Sequence, residues 1–217
     1  MNKITPKLTI QPRTRKELRA LVEAEIKKNG SQCDLNHIDV SLVGDFSWLF
    51  FDLEFNGDVS KWDVSGAVCA TGMFHGSSFN EDISKWNTSK ITDINTMFSR
   101  AKFNGDISRW DVSSVLSMTS MFSCSKFNGD ISGWNVSKVI NMRDMFYESK
   151  FEGDISSWNT SSVGMSDNMF LNSDIANKLG VENPSFEEVK SYYENLKLES
   201  GLQEASPGRI GSGKVRL

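Results

Sequence analysis

A string close to FNGDISxW(D/N)(V/T)S returns every 24 residues through the middle of this chain. Phe55, Phe79, Phe103, Phe127 and Phe151 open successive units, and Trp62, Trp86, Trp110, Trp134 and Trp158 keep one phase within them. A fixed period in the twenties marks a stack of coils in which no unit can bury its apolar face alone. The residues that repeat most strictly are therefore expected to build the coil. Information about use is expected where the repeat varies.

A degenerate unit precedes the five clear ones. Ser31 stands in place of its opening phenylalanine and Ile38 in place of its tryptophan. Six units thus run over about 31–174. With the opening residue as position 0, apolar residues recur at positions 4, 7, 9, 12, 15, 18 and 19. In the third clear unit these are Ile107, Trp110, Val112, Val115, Met118, Met121 and Phe122. The spacing apolar-x-x-apolar-x-apolar is the inward pattern of a leucine-rich-repeat strand. Trp110 in, Asp111 out and Val112 in reads as strand alternation. Val115, Met118 and Met121-Phe122 fit a short helix or 3₁₀ segment on the opposite side of the coil. Phe103-Asn104-Gly105-Asp106 supplies turn chemistry.

The flanks read as helices. Thr14 with Glu17 is a capping-box pattern, Leu18, Leu21, Val22 and Ile26 share one helical face, and Asn29-Gly30 is a stop. Past Phe170 the repeat breaks. Pro184-Ser185 with Glu188 starts a second helix whose apolar face is Phe186, Val189, Tyr193 and Leu196. The expected organisation is an N-terminal segment and capping helix over 1–30, the repeat over 31–174, a C-terminal capping helix over 175–199 and a flexible tail over 200–217. The expected fold is an α/β repeat solenoid. It is a leucine-rich-repeat-like, right-handed stack of about six coils with short parallel strands, capped by an α-helix at each end.

The units resemble the BspA-type leucine-rich-repeat proteins, on the wording FNGDISRWDVSSVLSMTSMF at 103–122 and FNGDISGWNVSKVINMRDMF at 127–146. The resemblance covers roughly 31–174. It implies the solenoid fold, and a secreted or surface-displayed protein engaged in adhesion. The sequence shows no leader, no lipid-attachment cysteine near the N-terminus and no C-terminal anchor. A cytoplasmic location is therefore the expectation, with the cell surface as the alternative.

Composition narrows the function classes. The net charge of −4 argues against general nucleic-acid binding. Residues 1–30 carry eight Lys/Arg and three Asp/Glu, so a basic entry precedes an acidic array. Cys33, Cys69 and Cys124 are odd in number and differ in repeat phase, which disfavours a disulfide framework. Cys33 and His37 lack a second pair for a zinc site. Gly208 to Lys214 imitates a phosphate loop, but Val215 stands where Ser or Thr would hold Mg²⁺. Asn87, Asn135 and Asn159 match glycosylation acceptors only because the repeat does. No catalytic residue and no cofactor is expected.

Asp34, Asp58, Asp82, Asp106, Asp130 and Asp154 form a column at position 3. Either each accepts N–H groups of its own turn, or together they bind Ca²⁺. The column of Ser at position 10 is expected to satisfy buried backbone groups. The tryptophans are expected in the core rather than as a stacking platform. Outward, variable positions remain. Position 6 reads His37, Lys61, Lys85 and Arg109, then turns neutral at Gly133 and Ser157. Position 8 reads Asp39, Asp63, Asn87 and Asp111, then Asn135 and Asn159. The plain expectation is a solvated face with cross-strand ion pairing. The functional one is a partner-binding face over His37, Lys61, Lys85, Arg109, Asp39, Asp63, Asn87 and Asp111. The expected role is non-enzymatic binding of a protein partner, without membrane insertion, small-molecule substrate or nucleic acid. An adhesin is one alternative, and an intracellular inhibitor or effector from a phage or mobile element is another.

Overall fold

A computed structural model describes residues 10–204. Its helices are α1 (Arg15–Asn29), α2 (Asp174–Leu179) and α3 (Phe186–Glu204). The tail's glycine-rich Gly208–Lys214 stretch lies outside the described residues.

The α/β solenoid with parallel strands is not what forms. Among the described residues there is no strand, and neighbouring coils meet at single parallel bridges. These bridges link Asp45, Cys69, Asp93, Ser117, Asn141 and Met165 in succession. They fall at position 14, not at the Ile107–Val112 segment expected to be extended. That segment is turned instead. Trp110 N–H donates to Ile107 O at 3.1 Å and Val115 N–H to Val112 O at 2.9 Å. Each apolar-x-x-apolar spacing is thus the first and last residue of a four-residue turn, whose corners point inward and whose central pair points out.

The second half of the coil is not helical either. Met121 donates to Met118 O, Ser123 to Ser120 O and Ser125 to Phe122 O, each an i to i+3 turn. Ser120 and Cys124 have φ of 53 and 54° within those turns. Their equivalents in the other coils also have positive φ, which breaks a helix every fourth residue.

Coils stack by three repeated devices. Two phenylalanine columns run through the core: Phe103 to Phe127 and Phe122 to Phe146 lie 6.4 and 5.8 Å apart, nearly parallel. The Phe at position 0 folds under its own turn, where a Cβ at Gly105 or Gly129 would come within 2.9 Å of the ring. The tryptophans add a polar staple. Each indole Nε1–H donates to a carbonyl of the preceding coil, as from Trp110 to Ile83 O and from Trp134 to Ile107 O, both at 3.1 Å. Ile38 replaces tryptophan in the first coil, which has no coil before it; there Asp39 N–H donates to Ile10 O at 2.9 Å. The third device is an asparagine ladder. Asn56, Asn80 and Asn104 each accept, through Oδ1, the N–H of the next coil's position 1 at 2.7 Å. Asn128 accepts that of Glu152, where the ladder ends.

Helices close both ends. Thr14 Oγ1 accepts the Glu17 N–H, Glu17 reaches back to Arg13 N–H, and Leu18 and Val22 are buried against the first coil. Helix α2, not anticipated from the pattern, is capped by Ser173 and stops at left-handed Gly180. At α3, Ser185 and Glu188 cap reciprocally. Val189 is buried and Tyr193 donates to Glu152 O, but Leu196, expected on the apolar face, is exposed. No helix among the described residues is long and apolar enough to cross a membrane.

Candidate interaction surface

The two outward columns singled out in the sequence have different fates. Position 8 is bound into the backbone. Asp63, Asn87 and Asp111 accept through Oδ1 the N–H of the serine two residues on, at 3.0, 3.2 and 3.0 Å. Asp39 does the same with Ser41 and also accepts from Gln11 Nε2 at 2.7 Å. The hydroxyl and N–H of that serine hold the carboxyls of Asp39, Asp63 and Asp111 below the usual carboxylate range. The serine at position 10 is therefore the donor that completes a turn, rather than a partner for buried backbone groups. In Asn87 and Asn135 its hydroxyl also donates to Oδ1 at 2.7 Å.

Position 6 is the third residue of the turn between positions 4 and 7, and it projects outward. Lys61, Lys85 and Arg109 are exposed. The cross-strand ion pairs expected beside them do not form: no salt bridge reaches these three cations among the described residues. His37 leaves the column. It is half-buried and faces α1, with Nε2 3.7 Å from Glu25 Oε1. The candidate face therefore begins at Lys61, not at His37.

The aspartates of position 3 close turns. Asp58, Asp82, Asp106, Asp130 and Asp154 accept the N–H of Ser60, Ser84, Ser108, Ser132 and Ser156 at 2.8 or 2.9 Å, and Asp34 accepts that of Asn36. The N–H of Ser60, Ser108 and Ser132 is the main reason that Asp58, Asp106 and Asp130 ionise more easily than a free aspartate. For Asp82 the Ser84 hydroxyl contributes most. At Asp154 burial works against ionisation, but the Lys197 ammonium at 2.7 Å and Ser156 outweigh it. No group of three or more His, Cys, Asp or Glu is arranged to hold a metal among the described residues.

Two further columns escaped the sequence reading, although both keep the period of 24. Position 13 presents Val68, Leu116 and Ile140, about half exposed at 50, 46 and 50%, with Thr92 between the first two and Gly164 in the last coil. Position 23 presents Lys102, Lys126 and Lys150, all exposed, with Lys150 paired to Asp174 at 3.2 Å. Aligning the units on variable positions, rather than on the FNGDIS string, exposes both.

No curated protein and no solved structure matches the chain. A family profile matches it twice, over residues 20–124 and 78–183, so the two matches overlap within the repeat and between them take in the greater part of α1, every coil and α2. The chain belongs to the family described as Mycoplasma protein of unknown function, DUF285.

Proposed function

We propose that this chain is a non-enzymatic protein-binding module whose partner presents an acidic surface to Lys61, Lys85 and Arg109. One observation carries the reading: three exposed cations stand in a column with no salt bridge among the described residues. Trp86 and Trp110, the next residues after Lys85 and Arg109, stack 6.4 Å apart, so the cations lie close enough for their fields to add. Asp63, Asn87 and Asp111 beside them are fixed in their turns. A face already ordered loses less entropy when a partner docks.

Kinship with BspA-type repeats is part of this proposal. It rests on the wording of the units, and it extends to their composition rather than to a leucine-rich-repeat strand. A surface-repeat relative would use the same outward columns.

The test is a pair of baits in native lysate, the wild-type chain and the Lys85→Glu/Arg109→Glu variant, each first shown to melt at the same temperature. Proteins held by the wild type at low salt should be lost from the variant. A recovered partner should bind the variant at least about tenfold more weakly, since reversal replaces two attractions with two repulsions. Equal retention by both baits rejects the column as the binding face.

A further inference from the structure

Between positions 14 and 21 the main-chain hydrogen bonds from coil to coil have a direction. N–H groups at positions 15, 17, 19 and 21 donate to carbonyls at positions 14, 16, 18 and 20 of the following coil. In the fourth coil these run from Met118 to Asn141 O, Ser120 to Arg143 O, Phe122 to Met145 O and Cys124 to Tyr147 O, at 2.7 to 2.9 Å. The stack therefore begins in a row of carbonyls and ends in a row of N–H groups. Unmade main-chain bonds at such an edge are costly when buried and adhesive when exposed.

The first end is closed. Arg15 Nη1 donates to Ser47 O at 3.2 Å, and Arg19 Nη1 to Leu49 O and Phe51 O, both at 2.8 Å. Two guanidinium groups stand where the amides of a preceding coil would be. The last end is closed only in part. Asn172 N–H donates to Glu182 O at 3.0 Å, Phe170 is fully buried, and α3 holds the opposite side of the coil through Glu152, Asp154 and Ser156. Ser166 and Asn168 are exposed, and their N–H groups have no hydrogen-bond partner among the described residues. Gly164 O is equally unpartnered, whereas its counterpart Ile140 O accepts the Gly164 N–H at 2.9 Å.

We propose that the edge from Gly164 to Asn168 is a docking site for an extended, uncharged, proline-free segment of another polypeptide, added in parallel as a short further rung. The rung continues the register of the coils beneath it. One N–H of the segment meets Gly164 O, and two of its carbonyls, two residues apart, meet the N–H groups of Ser166 and Asn168. Nothing on the edge repels such a segment. Ser161, Ser162, Gly164, Met165, Ser166 and Asn168 are uncharged, and Asp167 is held by Arg143. Edges meant to stay bare usually carry charge, proline or a cover. Met165, 42% exposed beside Ser166, gives the segment side-chain contact as well. A second copy of the chain fits less well, because the carbonyl row that could pair in this sense is engaged by Arg15 and Arg19. The site lies apart from Lys61, Lys85 and Arg109 and does not depend on them.

Amide hydrogen exchange on the full chain, followed by NMR, tests this directly. Alone, Ser166 and Asn168 should exchange at least about tenfold faster than Met142 and Asp144, their bonded counterparts one coil below. A capped peptide SSVGMSNN, the sequence that covers the fifth coil at 161–168 with its aspartate replaced by asparagine, should at millimolar excess shift and slow both amides. The same peptide with proline in place of its glycine should do neither. The Ser166→Pro chain should lose the peptide while melting as the wild type does, since no bond among the described residues uses that N–H. Slow exchange at Ser166 and Asn168 in the free monomer overturns the proposal, because the edge is then already covered. So does protection that appears only as protein concentration rises, which assigns the edge to a second copy. Unchanged shifts with excess peptide overturn it too.

Discussion

Thr96 holds a φ of 53°, where a β-branched residue is a genuine outlier, and its Oγ1 is buried without a hydrogen-bond partner among the described residues. One coil earlier the same position is Gly72, at φ 60°. Both the strain and the orphan hydroxyl are relieved by Thr96→Gly. The variant should be more stable by about 1 kcal/mol, a rise of about 2–4 °C in melting temperature. A thermal melt that falls instead would show that the side chain packs more than it strains. Trp110→Phe runs the other way. It keeps most of the apolar area but removes the indole donor to Ile83 O, which keeps the Trp86 N–H at 3.2 Å, at a cost of about 1 kcal/mol. Chemical denaturation of Trp110→Phe beside Phe103→Leu, which removes no polar partner, separates the staple from simple packing. That the tryptophans are core was legible from their inward phase. That they are staples was not, because the acceptor is a main-chain carbonyl 27 residues earlier, which no side-chain pattern marks.

Turns and strands share a spacing, and this is why the elements were misread. An apolar-x-x-apolar-x-apolar run places its apolar side chains inward in a strand-and-bend coil, and equally in a coil made of four-residue turns. Ser and Asp at the central and preceding positions were the discriminating signal. Asp106 with Ser108, and Asp111 with Ser113, are Asx-turns in succession, and a strand has no room for two within eight residues. The capping residues of α1 and α3 were legible because a capping box is local. Helix α2 was not, since its single apolar turn is shorter than any periodic signal. The end of α1 also carries a load that its helical pattern hides. Arg19 serves three carbonyls of the first coil through one guanidinium nitrogen. Arg19→Met keeps the aliphatic stem and should cost about 1.5–3 kcal/mol, the worth of charge-assisted bonds. Hydrogen exchange should show the loss first in the coil of Phe46 to Phe51, with the coil of Met118 to Phe122 unaffected. Uniform loss across the stack would mean that the end does not fray independently.

On the acid side of neutrality, the aspartates and His75 pull in one direction. The carboxyls of Asp39, Asp58, Asp63, Asp82, Asp106, Asp111 and Asp130 sit below their ordinary value of 3.8, held mainly by serine N–H and hydroxyl groups. A depressed carboxyl favours the folded state above its unfolded value and loses that advantage as pH falls through the folded one. The column should therefore begin to weaken below a pH of about 4. His75 acts earlier. It packs 5.6 Å from both Trp48 and Phe51, its Nδ1 is buried without a partner among the described residues, and burial, then Arg100, push its pKa below the ordinary 6.5 despite Asp52. For a histidine depressed by folding, the unfolded chain binds the proton more readily. Stability is then fully present above about pH 6.5 and is lost as pH drops below it. Wild-type melting temperature should be flat above neutrality, slope gently downward under pH 6.5, and fall steeply under pH 4 as many turns protonate together. His75→Gln should remove the gentle slope and leave the steep one untouched. A gentle slope that survives this substitution would move its origin from His75 to another group.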